Sequence, residues 1–60
     1  MIERLARALD ELPDRLRLVI LLTAIEGYSV DDAAGLLDVP AGTVKSRLFA
    51  ARKRLAGKLR

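Results

Sequence analysis

The sequence predicts an all-α fold, a small four-helix domain that contains a helix-turn-helix. Three observations support this prediction. The chain is rich in Leu, Ala and Arg and only 3% of its residues are aromatic, a composition that favours helices over strands. Apolar residues recur at intervals of three and four in four segments, which is the spacing of one helix face. Residues 30–48 have the pattern of two short helices joined by a tight turn.

The length of the chain limits what it can form. Sixty residues suffice for one small domain, which buries only about 60% of the surface that its unfolded chain exposes. We therefore predict a single domain over residues 1–60. The longest uninterrupted apolar run, residues 18–22, is too short to span a bilayer, and no signal-peptide pattern follows Met1. A cytoplasmic location is expected.

The apolar spacing places the four helices at about residues 2–11, 13–26, 30–37 and 40–57. Pro13 interrupts the first pattern and suits the first turn of the second helix. The apolar face of the second helix is wide, as in the central helix of a bundle. The predicted inward residues of the first helix are Ile2, Leu5, Ala6, Leu9 and Leu12. Those of the second helix are Leu16, Val19, Ile20, Leu22 and Ile25.

Residues with known capping and turn preferences lie at the predicted helix ends. Gly27 is suited to a left-handed C-cap of the second helix. Ser29, with Asp32 three residues later, resembles a capping box. Asp38 occupies the position where the tight turn needs a positive φ, which Asp tolerates better than most non-glycine residues. Ala33 and Ala34 are small, so another helix can approach the third helix closely.

The fourth helix has two different sides. Val44, Leu48, Ala51 and Leu55 follow at steps of four, three and four, which predicts a narrow inward seam. The opposite side presents Gly42, Ser46, Phe49, Ala50 and Lys53, flanked by Lys45, Arg47, Arg52 and Arg54.

Charge is segregated along the chain. Residues 1–39 carry four basic and eight acidic side chains, a net charge of −4, whereas residues 40–60 carry seven basic side chains and no acidic one. A basic helix in a small domain indicates a polyanionic partner such as nucleic acid. The alternative is a solvated C-terminal helix whose charge serves solubility.

The residue types present do not favour catalysis. The chain has no Cys and no His, so it lacks thiolate ligands, the commonest general base and the commonest metal ligand. Asp31 and Asp32 are adjacent, point to different sides of a helix and cannot act as a paired acid and base. We expect a protein that is not an enzyme, with no catalytic residues, no metal and no cofactor.

The helix-turn-helix pattern gives the basic helix a DNA-binding interpretation. Lys45, Arg47, Arg52 and Lys53 are predicted to neutralise phosphates, and Lys45 can alternatively reach a guanine edge. Ser46 is predicted to hydrogen-bond a base edge or a phosphate. Phe49 is predicted either to contact a thymine methyl or sugar carbons, or to pack against an earlier helix. The complete predicted DNA-binding set is Gly42, Thr43, Lys45, Ser46, Arg47, Phe49, Arg52 and Lys53.

The run from Leu12 to Leu55 resembles the fourth conserved region of bacterial sigma factors, especially those of the extracytoplasmic-function group. Three segments carry the resemblance: Leu12-Pro13, the EGYS of residues 26–29, and above all VPAGTVKSRL at residues 39–48. A full sigma factor of this group also has a region that melts the −10 element, and a linker. We therefore expect an excised domain, or one domain of a longer protein.

The resemblance implies a region-four-like domain that recognises the −35 promoter element within RNA polymerase holoenzyme, with its last helix in the major groove. Lys45, Ser46, Arg47 and Phe49 fall on positions that contact DNA in relatives. The resemblance also implies that the flap of the polymerase β subunit docks on the apolar surface of the earlier helices, and that an anti-sigma factor is a further partner. Relatives often have Arg at Thr23 and a basic residue at Ala50, so these departures imply weaker DNA affinity or an altered promoter preference.

Two other interpretations stay open. Response-regulator output domains carry a similar four-helix unit but usually dimerise through the last helix, which the basic Lys53, Arg54 and Lys58 oppose. A helical interaction module, or sigma mimic, that binds an anti-sigma factor or polymerase without specific DNA recognition is supported by Thr23 and Ala50.

Overall fold

The computed structural model describes residues 2–59. It contains four helices: α1 (Ile2–Asp10), α2 (Asp14–Ile20), α3 (Val30–Leu37) and α4 (Ala41–Lys58). A π-helical segment, Leu21–Ile25, continues α2 directly. Residues 2–59 contain no strand, and the predicted all-α fold is confirmed. Arg60, one of the seven basic residues counted above, lies outside the described residues.

The core lies where α2 and α3 pack on one side of α4. Val19 of α2 and Val44 of α4 are both 0% exposed and occupy its centre. Among the described residues no polar or charged side chain is buried, so burial of apolar surface is the main stabilising contribution. The connected core comprises Leu12, Leu16, Val19, Ile20, Ala33, Ala34, Val44, Leu48 and Ala51.

Helix α1 is rotated relative to the prediction. The structure buries Ala8 and Leu12, leaves Leu9 half-buried and exposes Ala6. Because Ala6 precedes Ala8 by two residues, it lies about 200° away around the helix. Ile2 is 83% exposed and Leu5 43% exposed. The predicted inward stripe is therefore wrong for Ile2, Leu5 and Ala6, since α1 meets the rest of the domain mainly through a short contact with α4.

The second predicted helix does not stay α-helical to residue 26. From Leu21 the backbone widens, and the amide of Glu26 donates to the carbonyl of Leu21 at 2.9 Å. The widened turn rotates the following residues relative to an α-helix. As a result Ile25, predicted to face inward, is 60% exposed. The segment ends at Ile25, and Gly27, two residues further on, has a φ of 82°, which confirms the predicted left-handed position.

The turn between α3 and α4 follows the predicted chemistry. The Ser29 hydroxyl accepts a hydrogen bond from the Asp32 amide at 3.0 Å and caps α3. At the other end Asp38 has φ 57°, so its left-handed conformation is confirmed. The amide of Val39 then donates to the carbonyl of Ala34 at 3.1 Å, which closes the turn. Pro40 precedes the first residue of α4 and directs it across α2.

No helix within residues 2–59 has both the length and the apolar character that crossing a membrane requires.

Candidate nucleic-acid interface

The inward seam of α4 fixes which side chains the helix presents outward. Val44, Leu48 and Ala51 are buried and Leu55 is half-buried, as the spacing predicted. Three consecutive turns of α4 are therefore held against α2 and α3. Such anchoring fixes the rotation of the helix about its own axis, because any rotation would expose the seam.

All eight predicted DNA-binding residues lie on α4. Six of them are exposed and lie within about one third of the helix circumference, and we call them the outer face: Gly42, Lys45, Ser46, Phe49, Arg52 and Lys53. Thr43 and Arg47 differ because they are half-buried. Each directly precedes a seam residue, Val44 or Leu48, which places it at the edge of the helix contact. Their position next to the seam was the sequence signal for this partial burial.

Phe49 is the most exposed large apolar residue of the outer face. Its side chain is 68% exposed, so the alternative of packing against an earlier helix is wrong. The Nζ atom of Lys53 lies 5.8 Å from the centroid of its ring, within the range of a cation–π contact that contributes about 0.5–1 kcal/mol at an exposed site. The contact holds a charge beside an aromatic ring on the outer face.

The cations of the outer face have no anionic partner. Within residues 2–59 the ion pairs are Arg17 with Asp14 and Lys58 with Glu11, and neither involves the outer face. Lys45, Arg52 and Lys53 therefore contribute positive potential that no nearby carboxylate cancels. Unpaired cations on one exposed helix side provide the electrostatic component of polyanion binding.

The first turn of α4 is open to a partner. The amides of Thr43 and Val44 both donate to the carbonyl of Pro40, and no side chain caps the helix. A Cβ atom added at Gly42 would meet no heavy atom within 4 Å. Space is therefore available at the end of the helix where the dipole favours a negative charge.

Thr23 and Ala50, the two departures from the family pattern, carry no positive charge. The Thr23 hydroxyl donates to the carbonyl of Val19 at 2.7 Å, which turns this side chain back onto its own helix. Ala50 is half-buried and packs against the core. Neither position therefore adds positive charge to that of the basic residues on α4.

The described residues hold no group of three or more His, Cys, Asp or Glu side chains placed to bind a metal ion. The outer face consists of cations, a hydroxyl and an aromatic ring, which suit contacts to phosphates and base edges.

Comparison with known proteins finds relatives along most of the chain. The ECF RNA polymerase sigma-E factor of Escherichia coli is 40% identical over 53 residues, which cover 88% of this chain and 28% of that protein. The protein of the same name from Salmonella typhi matches equally. The one from Haemophilus influenzae is 41% identical over 51 residues, 85% of this chain and 27% of that protein. The chain thus spans less than a third of the length of these relatives.

A family model described as Sigma-70, region 4 matches residues 2–55. This range includes the π-helical segment, the turn at Asp38 and all eight predicted DNA-binding residues. The match covers most of the chain and agrees with the four-helix architecture, and the chain belongs to the sigma-70 region 4 family.

Proposed function

We propose that this domain recognises the −35 element of promoter DNA by placing α4 in the major groove, within an RNA polymerase holoenzyme. The observation that carries the proposal is the outer face of α4, where unpaired cations surround Ser46 and Phe49 on a helix anchored by its opposite side. Membership of the sigma-70 region 4 family supports the same role.

In this proposal the basic residues set affinity and register. Lys45, Arg52 and Lys53 extend from the outer face toward the phosphates on either side of the groove, and the half-buried Arg47 contacts the backbone at the edge. Such contacts release counterions, so binding weakens steeply as salt increases. The open first turn at Gly42 and Thr43 receives a further phosphate.

Sequence selection comes from the centre of the outer face. Ser46 is short, which keeps the helix close to the base edges, and its hydroxyl can donate or accept a hydrogen bond. Phe49 presents an exposed ring to a thymine methyl group or to sugar carbons. Lys45 can reach guanine acceptors at the adjacent base pair.

The polymerase contact uses a different surface. Leu18 and Ile25 are seven residues apart on α2 and its π-helical continuation, and Leu36 lies on α3. All three are exposed, Ile25 and Leu36 by 60% each. These exposed apolar side chains are available for a protein contact, and we assign them to the flap of the polymerase β subunit. An anti-sigma factor is proposed to compete for the domain.

The proposal is tested by fluorescence anisotropy with a labelled −35-type duplex and a scrambled duplex at two salt concentrations. The combined variant K45A/S46A/R47A should lose the difference between the two duplexes. Arg15→Ala is the control, since Arg15 is exposed on α2 and lies outside the outer face. Unchanged discrimination in the triple variant would remove the assigned recognition surface.

A second candidate is a module that binds protein partners without specific DNA recognition. It is favoured by the hydrogen bond of Thr23 to the carbonyl of Val19 on its own helix and by the packing of Ala50 against the core. Equal, weak binding of both duplexes at low salt, together with tight capture of the polymerase flap or an anti-sigma factor, would establish it instead.

A further inference from the structure

We propose that the cleft between α1 and the end of α4 binds a small phosphate-bearing anion, on the side of the domain opposite the outer face. The cleft has a volume of about 180 Å³ and is lined by Arg4, Arg7, Ala8, Glu11 and Lys58. It brings Lys58 of α4 close to Arg7 and Arg4 of α1, from which it is separated by 51 and 54 positions in the sequence.

Positive charge exceeds negative charge in this cleft. Three cationic side chains line it and Glu11 is the one carboxylate among the lining residues. The Nζ atom of Lys58 donates to the Glu11 carboxylate at 2.6 Å. That hydrogen bond, the charge of Lys58 and the charge of Arg7 together hold the pKa of Glu11 below its ordinary value, which agrees with a positive local field.

The two arginines keep unused donors. Arg4 donates to the backbone carbonyl of Leu59 at 3.5 Å, the outer limit of a hydrogen bond, and that bond is exposed. The guanidinium of Arg7 makes no hydrogen bond within the described part of the chain. Arg4 and Arg7 are three residues apart, so both emerge on the same side of α1. Two neighbouring guanidinium groups offer paired donors to phosphate oxygens.

The shape of the cleft also favours a small ligand. Ala8 forms its floor, since this side chain is buried and contributes no bulk. The apolar residues Ile2 and Leu5 lie on other sides of α1 and are not among the lining residues. The cleft therefore suits one or two phosphate groups, with charge rather than apolar area providing the affinity.

Glu11 has a definite role in this site. Its carboxylate occupies a donor of Lys58 that a phosphate would otherwise take, and its charge repels the ligand. An anion therefore binds in competition with Glu11. Replacing Glu11 by Gln keeps the size of the side chain, removes the repulsion and releases Lys58, so that phosphate affinity increases.

The cleft is separate from the outer face of α4. Lys58 follows Phe49 by nine residues, about two and a half helical turns, so the two side chains point in opposite directions from α4. Anion binding in the cleft leaves the outer face free. The inference does not rest on the proposed DNA recognition, and its test contains no DNA.

The test is a two-dimensional NMR titration of the ¹⁵N-labelled chain with inorganic pyrophosphate and, in parallel, with ADP, which has the same number of phosphate groups, at low salt and constant pH. Shifts should concentrate on residues 4–11 and 55–59. Arg7→Ala should weaken binding about tenfold, as expected for loss of one charge-assisted hydrogen bond. Arg15→Ala removes the same charge from an exposed site on α2 and should leave the affinity close to wild type. Glu11→Gln should tighten it.

The two ligands distinguish the source of the phosphate. Affinity for ADP equal to or below that for pyrophosphate assigns the site to phosphate groups alone, and tighter binding of ADP assigns it to a nucleotide; either result supports the proposal. Equal weakening by Arg7→Ala and Arg15→Ala would overturn it, as would a failure of Glu11→Gln to increase affinity. The amide spectrum of free Arg7→Ala, recorded before the titration, must match that of the folded wild type, so that weaker binding is not the result of a folding defect.

Discussion

Helices α1 and α4 both carry basic residues and apolar residues at helical spacing, yet the structure uses them differently. Helix α4 buries three residues along its seam, whereas α1 buries Ala8 alone and leaves Ile2 and Leu5 exposed. The rotation of α4 is consequently fixed by the core, so its outer face is presented in one orientation. Helix α1 is a peripheral element whose main contact to α4 lies near the end of that helix. The spacing of apolar residues alone therefore does not identify the helix that positions a binding surface. The number of helical turns with a residue buried in the core does.

The largest effect should come from removing an anchor of α4. Leu48→Ala is expected to lower the free energy of unfolding by about 2–5 kcal/mol, because it leaves a cavity among α2, α3 and α4. Leu5→Ala on α1 should cost less than about 1 kcal/mol, since that side chain is already 43% exposed. Urea denaturation followed by circular dichroism measures both. Similar losses would mean that α1 is as firmly anchored as α4.

The next largest effect should be on the affinity for DNA when a basic residue is removed from α4 or from α1. Arg52→Ala on the outer face should weaken binding of every duplex and reduce the slope of log affinity against log salt by about 0.9. Arg4→Ala on α1 should leave that slope unchanged, because Arg4 lies in the cleft on the opposite side. Anisotropy titrations at four salt concentrations give both slopes. Equal changes would show that the DNA contact extends over α1.

A smaller effect is expected at the turn that sets the direction of α4. Asp38 has a left-handed backbone conformation, which costs a non-glycine residue roughly 1 kcal/mol. Asp38→Gly should therefore raise the free energy of unfolding by about 0.5–1 kcal/mol, and Asp38→Val should lower it. If glycine destabilised the domain, the Asp38 side chain would have to make a contact that offsets the backbone cost. Thermal unfolding of the three proteins decides this.

The smallest effect should be a pH dependence at the contact between α1 and α4. Lys58 holds the pKa of Glu11 below its ordinary value of 4.5. The resulting stabilisation is complete above the unfolded value near 4.5 and is lost as the pH falls through the lowered value in the folded state. Both groups are exposed, so the effect is small. Comparing the pH dependence of unfolding for wild type and Glu11→Gln isolates it; identical curves would show that the pair contributes nothing.

Local chemistry was predictable from single residues. Gly27 and Asp38 adopt the positive φ values expected of them, Ser29 caps α3, and the seam at Val44, Leu48 and Ala51 is buried. In each case the residue type itself restricts the backbone conformation or determines which side of the helix is buried. The same reasoning placed the eight candidate residues on α4, although their roles toward DNA stay predictions.

Three features depended on packing and could not be predicted. The π-helical segment arises where α2 ends against α3, and no residue in Leu21–Ile25 signals it. The rotation of α1 follows from the burial of Ala8, whose small side chain carries little weight in an apolar pattern. The cleft at Arg4, Arg7 and Lys58 forms where α1 lies beside the end of α4. The spacing of residues in the sequence contains no information about how closely these two helices approach.

Recognition of the −35 element by α4 is tested most directly by an NMR shift titration of the labelled domain with a −35-type duplex and a scrambled duplex, at low and moderate salt. NMR suits a lone domain, since non-specific binding has a Kd of about 10⁻⁴ to 10⁻⁶ M. If α4 recognises the −35 element, the shifts should concentrate on residues 42–53, differ between the two duplexes and persist at moderate salt. Small, scattered shifts that are the same for both duplexes would contradict it and reduce the outer face to an electrostatic surface.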